Sequence, residues 1–339
     1  MPRIRGAISI LLLLLPLAGC ATGGARAGAD RPAQGAGPLA GRTIVLDPGH
    51  GGTAATDSYR VGPTGEREEW VDLRVALVLR DLLEARGARV VLTRTEDVAV
   101  ELKARADMAR EAGADVFVSI HHNATADTAV NFPIVYYHGY ASRNVAGVAL
   151  ARHVARRLNE ALFDGRAQPS ICSDHVIFPT AGTAVLRHSY GIPGVLAEAS
   201  FFTNPGEEQR LRDPAHNRWE AEAYVRALED FFREPVPPVL PQEGVAPLEP
   251  FRVFQEAARL GEEAKRWRED FERGRELMAG PERDLEQAYE LLTRSARSFP
   301  DSPVAREAHL LRAEILDAWG RGAEAEETRR RVQEFYAGP

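Results

Sequence analysis

Four short segments carry residues whose types could do chemistry together. DPGHGG (47–52) follows the β-rich run RTIVLD and puts His50 at a strand end, where glycines leave room around its imidazole. SIHHN (119–123) closes the run VFVSIH, so His121 or His122 stands at a second strand's carboxyl end. Side chains alternate along a strand, and only one of the two can share a face with His50. GEREEW (65–70) opens a helical pattern with three acids, Glu66, Glu68 and Glu69. In AEASFFTN (197–204), Glu198 ends an apolar run suited to burial, where a lone carboxylate needs a compensating role. Neutral imidazoles and a carboxylate, with one position open to water, make a zinc site. A further carboxylate beside them could move protons.

The elements that would position these groups are a series of strands and helices. Strand-like runs lie at 42–47, 89–94, 116–121, 134–138 and 194–199. Between them, 70–87, 101–113 and 143–163 carry apolar residues at three-to-four spacing, and two of these end on Gly87 and Gly113 as helix C-caps would. The alternation predicts an α/β fold: a mostly parallel twisted sheet with helices on both faces and the site at the strand carboxyl ends. After residue 250 strand signals fade and Ala, Glu, Arg and Leu dominate, which predicts a smaller all-α domain.

Composition narrows the classes. At 339 residues the chain exceeds one ordinary core, and 44% hydrophobic with 27% charged residues excludes a wholly disordered, collagen-like or multi-spanning chain. A formal charge of -7 with no local basic patch argues against nucleic acid as a partner. Cys20 and Cys172 are the only cysteines, so any metal must be held by His, Asp or Glu. Cys172 falls in an expected loop, with no histidine base in fixed relation to it.

The segments outside the α/β pattern have their own characters. Arg3 and Arg5 precede an apolar run from Ala7 to Leu15 and the tetrapeptide LAGC, the order of an export signal and too short to span a bilayer. LAGC resembles the lipobox of bacterial lipoproteins. That resemblance implies a signal at 1–19, acylation of Cys20 and a periplasmic protein anchored to a membrane by lipid, with Ala21 compatible with the outer membrane. A Gly/Ala/Pro-rich tether follows at 20–41, then a catalytic domain at 42–233, a proline-rich linker at 234–250 and the helical domain at 251–339. The helices resemble tetratricopeptide hairpins, of which about one and a half units are visible, and are a candidate surface for a protein partner.

From about Arg42 to Phe232 the chain resembles the zinc-dependent N-acetylmuramoyl-L-alanine amidases that cut peptidoglycan. DPGHGG, EEWVDL, TRTED, SIHHN and VLAEASFFTN carry the likeness. The resemblance implies that His50, Glu68 and His121 hold zinc and that Glu198 is the catalytic carboxylate. Glu68 is chosen because it stands five residues before Leu73, with Glu69 and Glu66 as fallbacks. Asn123, Arg187 and Asn204 flank the motifs as candidate orienting or substrate-contacting groups, while His122, His138, His175 and His188 are read as non-ligands, with His188 and His175 as the reserves for the triad. The loop after His50 is longer than the family's, Asp72 replaces its Asn and Ser200 its Gly. The residues around CSDHVIFPTAG could form a small lid, and the His121–Glu198 span is close to that of family members without an inserted helix over the zinc. The bond cut would join the lactyl group of N-acetylmuramic acid to L-alanine.

Overall fold

The computed structural model describes residues 37–52, 60–245, 248, 254, 256–281 and 283–338. The expected export signal, Cys20, most of the tether and part of the loop after His50 lie outside them. Gly35–Pro339 forms one compact unit.

Among the described residues six strands form one sheet: β1 (Thr43–Pro48), β2 (Arg89–Leu92), β3 (Val116–Asn123), β4 (Ile134–Tyr137), β5 (Ser170–Ser173) and β6 (Gly194–Phe201), in the order β2-β1-β3-β6-β4-β5. Pairs β1–β2, β1–β3, β3–β6 and β4–β5 are parallel, whereas β4 runs antiparallel to β6. The mostly parallel expectation therefore holds, with one reversed junction. β5 is a strand where a loop was expected, and Cys172 is fully buried in it. A four-residue strand is too short to show a period of its own.

Each strand is apolar on both sides, as in a sheet covered on both faces. Ile44, Leu46, Val118, Ile120, Val195 and Ala197 face a layer made by α1 (Glu68–Glu84), α3 (Val145–Phe163) and α6 (Pro214–Arg233). The opposite face, with Val45, Phe117, Ile134, Tyr136, Cys172 and Leu196, packs on α2 (Leu102–Ala112) and α4 (Ala184–His188). α5 (Pro205–Leu211) lies between β6 and α6, capped by the Asn204 side chain, which accepts from the Glu207 amide at 3.0 Å.

The rest of that second face is closed by the C-terminal helices: α7 (Glu256–Arg259), α8 (Trp267–Ala279), α9 (Leu285–Ser298), α10 (Ala305–Ala318) and α11 (Gly322–Phe335). Trp267, Phe299, Ala305, Phe335 and Tyr336 belong to the same apolar cluster as the strand residues. Tyr336 makes an antiparallel bridge to Cys172, and the Ala337 amide donates to the Ile171 carbonyl at 3.1 Å, which covers the edge of β5. The proline-rich segment is pinned along its way, with Val239 bridged to Asn144 and the Leu240 amide donating to the Arg143 carbonyl at 2.8 Å. The helices thus share one apolar cluster with the sheet and keep two smaller ones of their own, around Leu292 and around Leu316.

Candidate active site

β1 delivers Asp47 to a network that fixes the following turn. Asp47 accepts from Thr93 Oγ1 at 2.6 Å, Ser119 Oγ at 2.7 Å and Arg105 Nη1 at 2.8 Å. Arg94 donates to the carbonyls of Pro48 (3.0 Å), Gly49 (2.6 Å) and Glu69 (2.8 Å), and Arg105 to those of Pro48 and His50. Both arginines are buried; Arg94 ties the β1 turn to the start of α1, and Arg105 ties it to the start of α2. A Cβ on Gly49 would lie 2.4 Å from His121 Cε1, so only glycine lets the turn pass that ring. His50 itself sits in left-handed backbone, φ 55°.

Three segments then converge. One oxygen of Glu68, the first residue of α1, lies 3.0 Å from His50 Nε2 and 3.0 Å from His121 Nδ1, and accepts from the His122 amide at 3.3 Å. The imidazole rings of His50 and His121 meet edge to face at 4.8 Å. One donor atom from each of His50, Glu68 and His121 falls within 4.8 Å of the others. Burial pushes the Glu68 carboxyl up, but the charges and hydrogen bonds of His50 and His121 prevail and hold it well below the carboxylate range. The other two acids are committed elsewhere: Glu66 to Arg74 at 2.7 Å and Arg212 at 3.2 Å, and Glu69 to Arg67 at 2.5 Å.

His122 points to the opposite side of β3, as alternation requires. It is fully buried between Asp72, 2.9 Å from Nδ1, and Glu220, 3.1 Å from Nε2. Burial lowers its pKa, but the two carboxylates raise it well above the ordinary histidine value. Burial also raises Asp72 to about 6, against the pull of His122.

Glu198 is the register partner of His121 on the neighbouring strand. The residue is half-buried, and its Oε2 is enclosed with no hydrogen-bond partner among the described residues. Burial pushes the carboxyl up to about 8, with His121 opposing and the charges of Glu68 and Asp72 reinforcing the shift. An enclosed carboxyl whose pKa burial raises is suited to general acid–base work.

These groups line a cavity of about 830 Å³. Leu196 and Tyr136 line it beside Glu198, and Ile177, Phe178 and Thr183 from the segment before α4 border it. Arg259, Leu260, Pro300 and Asp301 come from the C-terminal helical region. Of the candidate orienting residues, Asn123 lines the cavity, whereas Arg187 and Asn204 do not. Arg187 Nη1 donates to the carbonyls of Ala181 (2.8 Å) and Gly182 (3.1 Å), and Asn204 caps α5, so both organise loops.

His138, Asp174 and His175 form a second cluster with donor atoms in reach of one another. There Asp174 already accepts from His138 Nδ1 at 2.9 Å, the Thr183 amide at 2.7 Å and Thr183 Oγ1 at 3.1 Å, and it ties down the segment before α4. Sequence reasoning passed over Tyr136, Arg105, Glu220, Arg259 and Asp301. Arg105 carries a signal, a lone Arg on the inner face of an amphipathic helix; the others carry none.

Comparison with known proteins adds a relation. The family model described as N-acetylmuramoyl-L-alanine amidase matches residues 44–230. The N-acetylmuramoyl-L-alanine amidase AmiA of Escherichia coli (strain K12) is 28% identical over 227 residues, 56% of this chain and 76% of that protein. The amidase LytC of Bacillus subtilis (strain 168) is 32% identical over 197 residues, 58% of this chain and 36% of that protein. The CwlD amidase from Clostridioides difficile, solved in complex with the GerS lipoprotein, shares the fold at a TM-score of 0.50 and 24% identity, over 57% of this chain and 98% of that one.

Proposed function

Because the chain belongs to the N-acetylmuramoyl-L-alanine amidase family, we propose that it hydrolyses the amide between the lactyl group of N-acetylmuramic acid and the L-alanine of the peptidoglycan stem peptide. The observation that carries this is the meeting of His50, Glu68 and His121 beside the unpartnered Oε2 of Glu198. Two imidazole nitrogens and a carboxylate oxygen from three chain segments are a donor set that suits zinc, and the open cavity leaves room for water and substrate. His50, Glu68 and His121 would hold the ion; when bound, zinc supplies a Lewis acid for the scissile carbonyl and acidifies water.

The remaining work falls to the chain's own groups. In its ionised form Glu198 takes up the proton lost as water adds to the carbonyl and delivers it to the alanine nitrogen as the C–N bond breaks, the enclosed position that raises its pKa favouring the return of the proton. Asp72 and Glu220, through His122, hold the end of β3 and so the direction of His121. Asn123 stands at the cavity wall, where it can donate to a peptide carbonyl.

Digestion of peptidoglycan by the form starting at Ala21 tests this. Wild type should release free stem peptides, and Glu198→Gln should lose release by at least about a hundredfold while binding as much zinc. His121→Ala should lose both metal and activity. Retained activity in Glu198→Gln would remove Glu198 from the mechanism, and zinc-loaded wild type that releases nothing would make the domain a binding module.

The export signal and lipobox support a periplasmic site with Cys20 lipidated and the outer membrane as anchor. Palmitate labelling that disappears in Cys20→Ala checks this. The C-terminal hairpins are read as tetratricopeptide-like, supported by the close passage of α8 and α9 at Gly274, where a Cβ would sit 2.9 Å from Leu292.

A further inference from the structure

The stretch matched by the family model ends at residue 230, yet one wall of the cavity is built from residues beyond it. Arg259, at the end of α7, donates from Nη2 to Asp301 Oδ1 at 2.8 Å. Asp301 is buried and accepts on its other oxygen from the Tyr136 hydroxyl. Tyr136 pairs with Leu196 on β6, and Ile134, two residues earlier on the same face of β4, pairs with Glu198. The guanidinium is thus fixed relative to the catalytic carboxylate by side chains standing on adjacent strands.

Arg259 has more capacity than this anchoring uses. Its pairing with Asp301 goes through one nitrogen, its face lies 5.8 Å from the Phe299 ring centre, and its other N–H donors have no partner among the described residues. The side chain is 21% exposed, and the residue lines the cavity. Elsewhere the lining holds the acids Glu68, Glu198 and Asp174, with Arg60 as its other arginine. An anionic substrate group is repelled by Glu68 and Asp174 and drawn to the Arg259 wall.

We infer that Arg259 is a specificity residue that binds a free carboxylate of the stem peptide, presented to the active site by the C-terminal helical region. This rests on the amidase reading above. The nearest such group to the scissile bond is the α-carboxylate of the glutamate after L-alanine, which is a carboxamide in amidated stems. A guanidinium with free donors separates the two by charge as well as by hydrogen bonding.

The test uses N-acetylmuramoyl-L-alanyl-D-glutamate with its γ-carboxyl capped as the methylamide, and the same compound with the α-carboxylate as a carboxamide, which differ at that one group and carry no free γ-carboxylate. Wild type should cleave the acid with a kcat/KM about tenfold above the amide, mostly through KM. In Arg259→Gln the acid-to-amide ratio should fall to about one, and Arg259→Lys should keep part of it. Equal wild-type values, or a ratio that Arg259→Gln leaves unchanged, would overturn the assignment and leave Arg259 as the partner of Asp301 alone. Calorimetric binding of the same peptides to Glu198→Gln reads the preference without turnover. Binding that favours the acid in a protein whose wild type cleaves neither peptide nor peptidoglycan overturns the amidase reading while supporting this one. Equal binding of the two overturns this one.

Discussion

The α/β part and the C-terminal helices contribute to one cavity in opposite ways. In the first, each group sits in a tight motif whose shape is dictated locally: Gly49 has no side chain because His121 occupies the space, and Glu68 stands at a helix start that Arg94 ties to the β1 turn. The helices bring no motif. They contribute by apposition, with Phe299 set against Phe132, Phe201 and Trp267 and Asp301 beneath Tyr136. A segment without a chemical signature can therefore form part of a site, provided its core is continuous with that of the segment that has one.

Ending the chain at Arg233 breaks this comparison most severely. It uncovers Phe132, Tyr136, Cys172 and Phe201, all buried in the intact protein. Full burial of Trp267, Phe299, Phe335 and Tyr336 is worth about 2 kcal/mol each, so the loss approaches the whole stability of an ordinary domain. The truncated chain should be largely unfolded or insoluble at 25 °C by circular dichroism and dye binding. A soluble product melting at the wild-type temperature would restore the picture of two independent domains.

Phe299→Ala asks the same question with one residue. The side chain is buried among three aromatic rings from both parts, and its loss should cost about 3–5 kcal/mol. If the core is continuous, urea unfolding stays a single transition that moves as a whole. Two separated transitions, only one of them shifted, would show that the helices fold apart.

What the sequence made legible follows the same division. The strand ends at His50, His121 and Glu198 and the helix start at Glu68 could be found because each lies in a run whose period or glycines announce it. The family's spacing to Leu73 selects Glu68 over Glu66 and Glu69; what occupies Glu66, a residue as remote as Arg212, has no trace in the local sequence. The reversal of β4 and the four-residue β5 were hidden because strand direction is set by crossovers and a strand that short has no period. The helices after residue 255 were visible from their apolar spacing, but such a face looks the same whether it packs on a helix or a sheet. Their apolar spacing therefore does not show that Trp267, Phe299 and Phe335 pack against strand residues.

The acid limb of stability should belong to the α/β part. Glu207 is buried in α5; burial pushes its carboxyl up, but His216, Arg210 and Asn131 prevail and hold it at about 2, against 4.5 for a free side chain. A depressed carboxyl stabilises the folded state fully above the unfolded value and loses that contribution as pH falls through the folded one. Glu207→Gln should thus be less stable than wild type by about 3 kcal/mol at pH 7, with the gap closing between about pH 4.5 and 2. A gap that stays constant with pH in urea melts would assign the loss to packing alone.

The smallest expected effect separates the inner packing of the helices from their docking. Gly274 lies inside α8, where alanine would gain about 1 kcal/mol of helix propensity. Its Cβ would stand 2.9 Å from Leu292 Cγ and 3.3 Å from the Ala288 carbonyl, and Leu292 is fully buried, so it must shift within the core to make room. Overpacking of that kind costs about 1–3 kcal/mol, so Gly274→Ala should be destabilising by about 1 kcal/mol net in urea melts. The cluster around Leu292 is distinct from the one shared with the sheet, so kcat/KM on peptidoglycan should change less than twofold. A stabilised variant would mean that α8 and α9 can separate without cost. A large loss of activity would mean that the hairpin's spacing sets the position of the cavity wall, and the α8–α9 contact would then belong to the site as fully as Asp301 does.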